Sequence, residues 1–243
     1  DIDAGPFDTR DIFASPRFGT NALGAFLAAP PPAPVTADSG LAAAFAYRDE
    51  TLAFDAGVTP VGFVLGRAVG GLSLFSNAGD WRLQGTVERR AVTDSLLSWG
   101  GIRDTQSLRR WGAVTRNGAR FSAASGDEQA GVYGALGMYQ LEGRLVARNN
   151  ATELGVGAYM RLWDDGASSA TLGVHFETQA YEKNLSQFTF GHGGYFSPQR
   201  FVSLSFPFTA SGQRGDLSYQ WGAEVGVRNI AGYNKLNKDE LFE

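Results

Sequence analysis

The chain has 243 residues, of which 43% are hydrophobic and 19% charged, with a formal net charge of −4. This length suits a single all-β domain, and 12% aromatic residues with so little charge is unlike a disordered chain. The mild acidity, without a clustered basic patch, argues against a nucleic-acid partner. The absence of cysteine excludes disulfides, zinc–thiolate sites and thiol catalysis. No apolar run reaches the roughly 18 residues of a transmembrane helix.

The chain divides into three parts by its pattern. Residues 1–38 are expected to form an irregular lead-in, because Pro30-Pro31-Pro32 and Pro34 cannot join a central strand. Residues 39–228 alternate apolar and polar side chains, which is typical of strands with two different faces. Residues 229–243 hold two of the three lysines of the chain, so this tail is interpreted as truncated or foreign.

The alternation is clearest in the segment from Asp216 to Arg228. Leu217, Tyr219, Trp221, Ala223, Val225 and Val227 share one face, and Ser218, Gln220, Gly222, Glu224, Gly226 and Arg228 share the other. The same pattern runs through residues 81–88, 154–163 and 170–179. These segments are therefore predicted to be strands rather than helices.

Turn residues interrupt the alternation and set the expected strand count. The turn signals are Ser76–Asp80, Arg116-Asn117-Gly118, Ser125-Gly126-Asp127, Asn149-Asn150 and Asp164-Asp165-Gly166. They predict about twelve strands of roughly nine to thirteen residues, joined mostly by hairpins. Such strands are long enough to cross a bilayer when tilted, whereas strands of soluble sandwiches average about five or six residues.

Two all-β architectures remain open on the pattern alone. A soluble sandwich or barrel would turn its apolar face inward, and an outer-membrane barrel would turn it towards lipid and keep a polar interior. Strand length favours the membrane barrel, as do aromatic residues near strand ends, where interfacial girdles lie. The aromatic residues in question are Trp81, Trp163, Tyr181, Phe201, Phe208, Tyr219 and Trp221.

Three connections are long: Pro60 to Arg67, Arg89 to Arg110, and Glu182 to Arg200. In the predicted count they follow even-numbered strands, so they should share one rim. Long loops of outer-membrane barrels lie outside the cell. A periplasmic N-terminus would then require one further early strand, which we place within Arg17 to Leu27.

Several motifs at these connections resemble the cellulose synthase operon protein C family. The strongest are Val92–Gly101, the following Arg103-Asp104 and Trp111–Val114, and Phe190–Arg200. Supporting matches are Asp3–Pro6, Arg17–Thr20, Thr59–Phe63 and Tyr181–Leu185. They occur in the order of the family and cover most of residues 3–228.

The resemblance implies a transmembrane, antiparallel up-and-down β-barrel of the bacterial outer membrane that exports cellulose during biofilm formation in Gram-negative cells. The barrels of the family have sixteen strands, so the last strands are expected to be missing here. The implied partners are a cellulose or related glucan chain, outer-membrane lipid, a periplasmic tetratricopeptide-repeat scaffold and the inner-membrane cellulose synthase complex. Export of another polysaccharide such as poly-N-acetylglucosamine, or general diffusion of small solutes, are the alternatives.

A glucan exporter needs a wet lumen with many weak contacts. Aromatic rings stack on the C–H faces of sugars, and charged or amide groups exchange hydrogen bonds with sugar hydroxyls. The candidate lumen residues are Arg82, Gln84, Glu88, Arg120, Tyr159, Arg161, Trp163, His175, Glu177, Gln179, Tyr181, Glu224 and Arg228. For any one of them, an ion pair that only stabilises the wall is an equally good interpretation.

The Gly191–Gln199 segment is a candidate gate. Its candidate residues are Gly193, Gly194, Tyr195, Phe196 and Pro198. The segment is interpreted either as a loop that folds over or into the pore, or as a tightly packed loop in which Gly and Pro set the turns. Asp94 and Ser95 either line the mouth or cap local turns, and the second interpretation is preferred.

Catalysis is not predicted. The chain has two histidines, His175 and His192, and no G-x-S-x-G motif, and Asp164-Asp165 is typical of a hairpin tip. No metal-ligand spacing or phosphate-binding glycine loop is present, so neither a metal nor a cofactor is expected.

Overall fold

The computed structural model describes residues 38–104 and 108–232. The strands are β1 (Leu41–Arg48), β2 (Leu52–Val61), β3 (Ala68–Ala78), β4 (Trp81–Ala91), β5 (Ile102–Arg103), β6 (Arg110–Gly126), β7 (Ala130–Arg144), β8 (Val146–Asp164), β9 (Ser168–Tyr181), β10 (Arg200–Arg214) and β11 (Leu217–Ala231). One short helix, α1 (Leu96–Gly100), lies between β4 and β5. The strand expected within residues 17–27, nearly all of the lead-in, and the tail beyond residue 232 lie outside the described residues.

The strands form one antiparallel up-and-down sheet. Its order is β1-β2-β3-β4-β6-β7-β8-β9-β10-β11, with β5 paired only to β6. The predicted all-β, antiparallel architecture is therefore confirmed. The last strand continues to Ala231, past the expected barrel boundary at residue 228.

The strand count corrects the prediction at two turn signals. Asn117-Gly118 lies inside the 17-residue β6, and Asn149-Asn150 lies inside the 19-residue β8. Asn117 stays in the strand because it pairs with Arg89 on β4 and with Gln140 on β7, and its Oδ1 also accepts a hydrogen bond from Arg89 at 2.7 Å. The real turn between β7 and β8 is at Leu145, which has a φ of 55°. Residues 38–104 and 108–232 hold ten long strands and the two-residue β5, close to the expected count of about twelve.

All three long connections leave the same end of the sheet, as predicted. They follow β2, β4 and β9, and the remaining connection at that end is the tight turn at Leu145. We call this end the loop end and the opposite end, where the other hairpins turn, the hairpin end. β1 begins at the loop end, since Leu41 pairs with Val61 at the end of β2.

The two faces of the sheet differ in chemistry and in exposure. One face carries exposed apolar side chains, among them Phe54, Val87, Phe121, Val156 and Val225. The other face carries the alternating polar residues and encloses a cavity lined by residues of β3, β4 and β6 to β9, so it is concave. The apolar face is thus the outer one, which is the reverse of a soluble barrel.

The buried core lies on the concave side at the loop end. Val114, Tyr139, Leu141 and Tyr181 of the wall pack with Leu185 and Tyr195 of the β9–β10 connection. A second cluster joins Leu97 of α1 to Trp111 of β6. No helix in the described part of the chain is long and apolar enough to cross a membrane.

Candidate functional site

The concave face gathers twelve of the thirteen predicted lumen residues. Pairing across neighbouring strands puts them on one face, because directly opposed residues share a face. These residues are Arg82, Gln84 and Glu88 of β4, Arg120 of β6, Tyr159 and Arg161 of β8, His175, Glu177, Gln179 and Tyr181 of β9, and Glu224 and Arg228 of β11. Their expected role in sugar contact stays a prediction.

The predicted placement of Trp163 is wrong. The register shifts between Arg161, which pairs with Thr171, and Trp163, which pairs with Ala170. This bulge inserts Leu162 as an extra residue and moves Trp163 to the face of Leu172. Trp163 therefore lies on the outer face near the hairpin end, with half of its surface exposed.

A row of ion pairs crosses the concave face beside the buried core, on the side towards the hairpin end. Arg90 holds both carboxylate oxygens of Asp55 on β2 and lies 3.2 Å from Glu88 (Nε to Oε2). Arg116 on β6 bridges Glu88, at 3.4 Å, and Glu153 on β8, at 2.8 Å. We call these five residues, Asp55, Glu88, Arg90, Arg116 and Glu153, the charge ladder. The ladder holds three carboxylates and two guanidiniums, and Arg120, 4.0 Å from Glu153, supplies the third positive charge.

A cavity of about 1080 Å³ opens on the concave face towards the hairpin end. Its polar and aromatic lining includes Arg48, Phe75, Arg82, Gln84, Arg120, Tyr133 and His175. The guanidinium of Arg48 lies 4.8 Å from the centre of the Phe75 ring. Arg120 is 4.0 Å from Glu153 at the edge of the charge ladder. Aromatic rings and hydrogen-bond donors thus share one water-accessible space.

The Gly191–Gln199 segment folds onto the concave face rather than away from it. Tyr195 is almost fully buried, and its ring centre lies 6.5 Å from that of Tyr181. Asn149 fixes the segment through Nδ2, which donates to the Tyr195 hydroxyl at 3.1 Å and to the Lys183 carbonyl at 2.8 Å. Burial also raises the pKa of the Tyr195 phenol. The segment is therefore a packed loop on the concave side, and its role as a gate stays a prediction.

Glycine in this loop serves close packing. Gly194 has a φ of 62°, and a Cβ there would lie 3.0 Å from Leu97, Phe188 and Ser95. The amides of Gly193 and Gly194 both donate to the Leu185 carbonyl. The Pro198 carbonyl accepts a hydrogen bond from the Tyr181 amide, so the end of the loop is bonded to the end of β9.

Phe196 differs from its neighbours because it remains exposed. Its ring packs edge-on against Phe201 on the concave side of β10, with centres 5.9 Å apart. Its backbone amide donates to Asp94 at 2.8 Å. Phe196 is the gate candidate that still presents an aromatic surface.

Ser95 has the local capping role preferred from the sequence, whereas Asp94 accepts a hydrogen bond from the distant Phe196 amide. Ser95 is the N-cap of α1 and forms a capping box with Ser98. The Ser95 hydroxyl also donates to the Gly194 carbonyl at 2.7 Å. The helix and the β9–β10 connection are therefore tied together, and we call them jointly the plug (residues 92–101 and 182–199).

His192 lies inside the plug. Its carbonyl accepts a hydrogen bond from Trp111 Nε1 at 2.9 Å. Its ring is buried without a hydrogen bond to Nδ1, and burial lowers the pKa of the imidazole to about 4. Among residues 38–104 and 108–232, no group of three His, Asp or Glu side chains could hold a metal ion.

Sequence reasoning missed four residues of this face. Arg116 and Asn149 were assigned to turns, while Arg90 and Tyr133 were not singled out. The alternation around Gly131 and Gly137 places Tyr133 on the polar face and was a usable signal for that residue. Nothing local signals the pairing of Arg116 with two other strands.

Comparisons with known proteins give the family. Residues 1–235 match the family described as the cellulose synthase operon protein C C-terminus. The cellulose synthase operon protein C of Xanthomonas axonopodis pv. citri (strain 306) is 38% identical over 199 residues, covering 80% of this chain and 13% of that protein. The protein of the same name from Pseudomonas fluorescens (strain SBW25) is 38% identical over 205 residues, covering 82% and 16%.

A solved structure supports the fold. A bacterial polysaccharide outer membrane secretin superposes with a TM-score of 0.54 at 15% identity, covering 77% of this chain and 59% of that one. The chain spans only 13% and 16% of the two relatives above. It belongs to the cellulose synthase operon protein C family, and it matches the C-terminal part of that family.

Proposed function

We propose that this chain forms the wall of an outer-membrane channel through which a polysaccharide, cellulose, leaves the cell without being chemically changed. The observation that carries the proposal is the inverted sheet, polar and hollow inside and apolar outside. A soluble barrel gains no stability from exposed apolar side chains, whereas lipid solvates them. Membership of the cellulose synthase operon protein C family supports cellulose as the polymer.

The lumen suits a neutral polymer. A glucan has no net charge, so a track of paired charges offers hydrogen bonds without a strong electrostatic trap. The charge ladder meets this requirement together with Arg120, because three carboxylates then face three guanidiniums. We infer that the ladder is a passive surface over which the chain slides.

We also propose that the loop end faces the outside of the cell. Towards that end the outer face becomes polar, with Arg89, Asn117 and Glu142 joined by hydrogen bonds. Towards the hairpin end it is apolar, with Trp81 and Trp163 at its limit. Outer-membrane strands project beyond the membrane on the side that carries the long loops.

In this arrangement the hairpin end faces the periplasm. The polymer would enter there from the periplasmic tetratricopeptide-repeat scaffold, pushed by the inner-membrane cellulose synthase complex. Extension of the polymer would supply the force, and the channel would need no catalytic residue.

The proposal is tested by obstructing the lumen in the bacterium that encodes the protein. Gly155→Trp places an indole on the concave face beside His175, whereas Gly85→Trp places the same group on the outer face, where nothing lies within 4 Å. We expect Gly155→Trp to reduce secreted cellulose strongly while the protein remains folded in the outer membrane. We expect Gly85→Trp to leave secretion near the wild-type level.

Conductance of the purified protein in a planar bilayer separates this function from general diffusion. Cellohexaose should block the ion current in a length-dependent manner, and maltohexaose should block it less. Equal secretion by both tryptophan variants, or a pore indifferent to both sugars, would overturn the proposal.

A further inference from the structure

Three tyrosines on the concave face are directly opposed by glycine on the next strand. The pairs are Tyr139 with Gly118, Tyr133 with Gly157, and Tyr159 with Gly131. A Cβ at Gly131 would lie 2.6 Å from Tyr159 Cζ, and one at Gly118 would lie 2.6 Å from Tyr139 Cδ1. Each ring therefore occupies the space above its glycine and lies along the wall instead of pointing into the lumen.

Tyr139 and Tyr133 differ in what covers their rings. Tyr139 lies beneath the guanidinium of Arg116, 4.0 Å from its ring centre, and is buried under the plug. Tyr133 is exposed and lines the cavity. A ring that lies flat against a wall and is open on one side is a stacking surface for a planar ligand.

His175 extends the surface of Tyr133. Gly157 is paired with Tyr133 on one side and with His175 on the other. The two rings are nearly parallel, at 19°, with centres 5.8 Å apart, and the Tyr133 hydroxyl lies 3.1 Å from His175 Nδ1. Together they cover β8 from both neighbouring strands, and we call them the aromatic platform (Tyr133 and His175 above Gly157).

Hydrogen-bond donors line the same cavity as the platform. Arg82, Gln84 and Arg120 supply guanidinium and amide groups. A planar apolar surface with donors around it suits a sugar ring, which presents C–H groups on its faces and hydroxyls at its edge. In a β-1,4-linked glucan the glycosidic bonds as well as the hydroxyls are equatorial, so the chain is extended and both faces of each ring are flat. In an α-1,4-linked glucan the bond at C1 is axial, and the chain bends away from a flat surface.

We propose that the aromatic platform is a stacking subsite for one pyranose ring of a β-1,4-linked glucan, with Tyr133 as the residue that sets the preference for β- over α-linked chains. The inference rests on the proposed export function and adds a specific contact to it. Neither ring lies within the charge ladder, so the platform is the place where a passing chain is held by shape rather than by charge.

The test is the affinity of the purified full-length protein in detergent for cellohexaose and for maltohexaose, measured by isothermal titration calorimetry. We expect cellohexaose to bind more tightly. Tyr133→Ala should weaken cellohexaose binding about three- to tenfold, the range of a single aromatic contact, and Tyr133→Phe should change it by less than about twofold. Phe121→Ala on the outer face is the control.

A second pair of variants changes glycines and keeps every aromatic side chain. Gly157→Ala puts a methyl group 2.4 Å from Tyr133 Cζ and 2.8 Å from the Val174 carbonyl oxygen, so the Tyr133 ring lifts from the wall and β9 shifts slightly. Gly222→Ala, also on the concave face, meets nothing within 4 Å. We expect Gly157→Ala to weaken cellohexaose binding as Tyr133→Ala does, and Gly222→Ala to have no effect.

The outcomes separate this inference from the proposed function. Unchanged cellohexaose affinity in Tyr133→Ala, equal affinity for both sugars, or no binding of either by the wild type would overturn the platform even where Gly155→Trp stops secretion. Tyr133-dependent binding would support the platform even where Gly155→Trp leaves secretion unchanged, and in that case the export function would fail.

Discussion

The two ends of the concave face are built from the same strands, but one end is closely packed and the other is open. At the loop end, Tyr139, Leu141 and Tyr181 are buried beneath the plug. At the hairpin end, Tyr133 and His175, on two of the same strands, line an open cavity. A single sheet thus carries a close-packed region and a hollow region along its length.

The difference comes from which residues take the inward positions. Next to the plug the inward residues are large and apolar or, like Asn149, fully hydrogen-bonded. Around the cavity Gly155 takes an inward position of β8 and leaves room, and Gly157 lets the Tyr133 ring lie flat against the wall. The comparison shows that residue size, not strand geometry, decides where this lumen is filled.

The charge ladder marks the boundary between the two regions. Arg116 packs on the buried Tyr139 with one face and pairs with Glu88 and Glu153 towards the lumen. Mutations on the plug side should therefore change stability, and mutations on the cavity side should change permeation.

The largest effect is expected from removing the centre of the packed region. Trp111 is fully buried, and its ring centre lies 5.6 Å from that of Phe190 in the plug. Trp111→Ala leaves a cavity and an unpaired His192 carbonyl, so we expect a loss of about 3–5 kcal/mol in the free energy of unfolding. Hydrogen exchange at the Gly193 and Gly194 amides should rise by several orders of magnitude.

The control for this change is Trp221→Ala on the outer face, where the indole is mostly exposed. Exchange at Gly193 and Gly194 should remain at the wild-type rate in that variant. Equal exchange in both variants would mean that the buried core does not hold the plug, and the proposed difference in packing between the two ends would be wrong.

A smaller effect should come from protonating His192. Burial lowers the pKa of its imidazole from 6.5 in the unfolded chain to about 4. The unfolded state then binds more protons between these values, so the stability of the plug is complete above about pH 6.5 and decreases as the pH falls to 4. The full loss is about 3 kcal/mol.

Hydrogen-exchange protection factors of the plug amides, which correct for the intrinsic pH dependence of exchange, would measure this effect. Protection should fall between pH 6.5 and 4 in the wild type and fall much less in His192→Gln, which keeps a neutral side chain at every pH. The same decrease in both proteins would assign the pH dependence to other groups.

Much of this arrangement could be predicted from alternation alone. Period-two patterning places twelve of thirteen candidate residues on the concave face because a strand offers only two faces. The error at Trp163 has a local cause, since one extra residue at Leu162 reverses every later position of the strand. A bulge of this kind leaves no mark in the alternation before it occurs.

The errors at Asn117 and Asn149 have a different cause. Turn preference is local, whereas both side chains are held in their strands by partners distant in the chain, Arg89 for Asn117 and Lys183 for Asn149. The contact between the two parts of the plug could not be predicted for the same reason, because Ser95 meets Gly194 across 99 residues. Periodicity reports which face a residue takes and carries no information on which loop will cover it.

The smallest effect on stability, and the sharpest test of the boundary, is expected from Arg116. Glu88 keeps Arg90 and Glu153 keeps Arg120 as a second partner, so Arg116→Gln should lower the free energy of unfolding by only about 1 kcal/mol. It should nevertheless change permeation, because the two carboxylates of Glu88 and Glu153 lose their shared cation and attract cations into the lumen. The reversal potential in a KCl gradient should shift towards cation selectivity. Arg116→Lys keeps the charge and should leave the potential near that of the wild type. Arg116→Gln could instead lose as much stability as Trp111→Ala and show no shift in the reversal potential. The charge ladder would then belong to the packed region, and the hollow region would begin closer to the hairpin end.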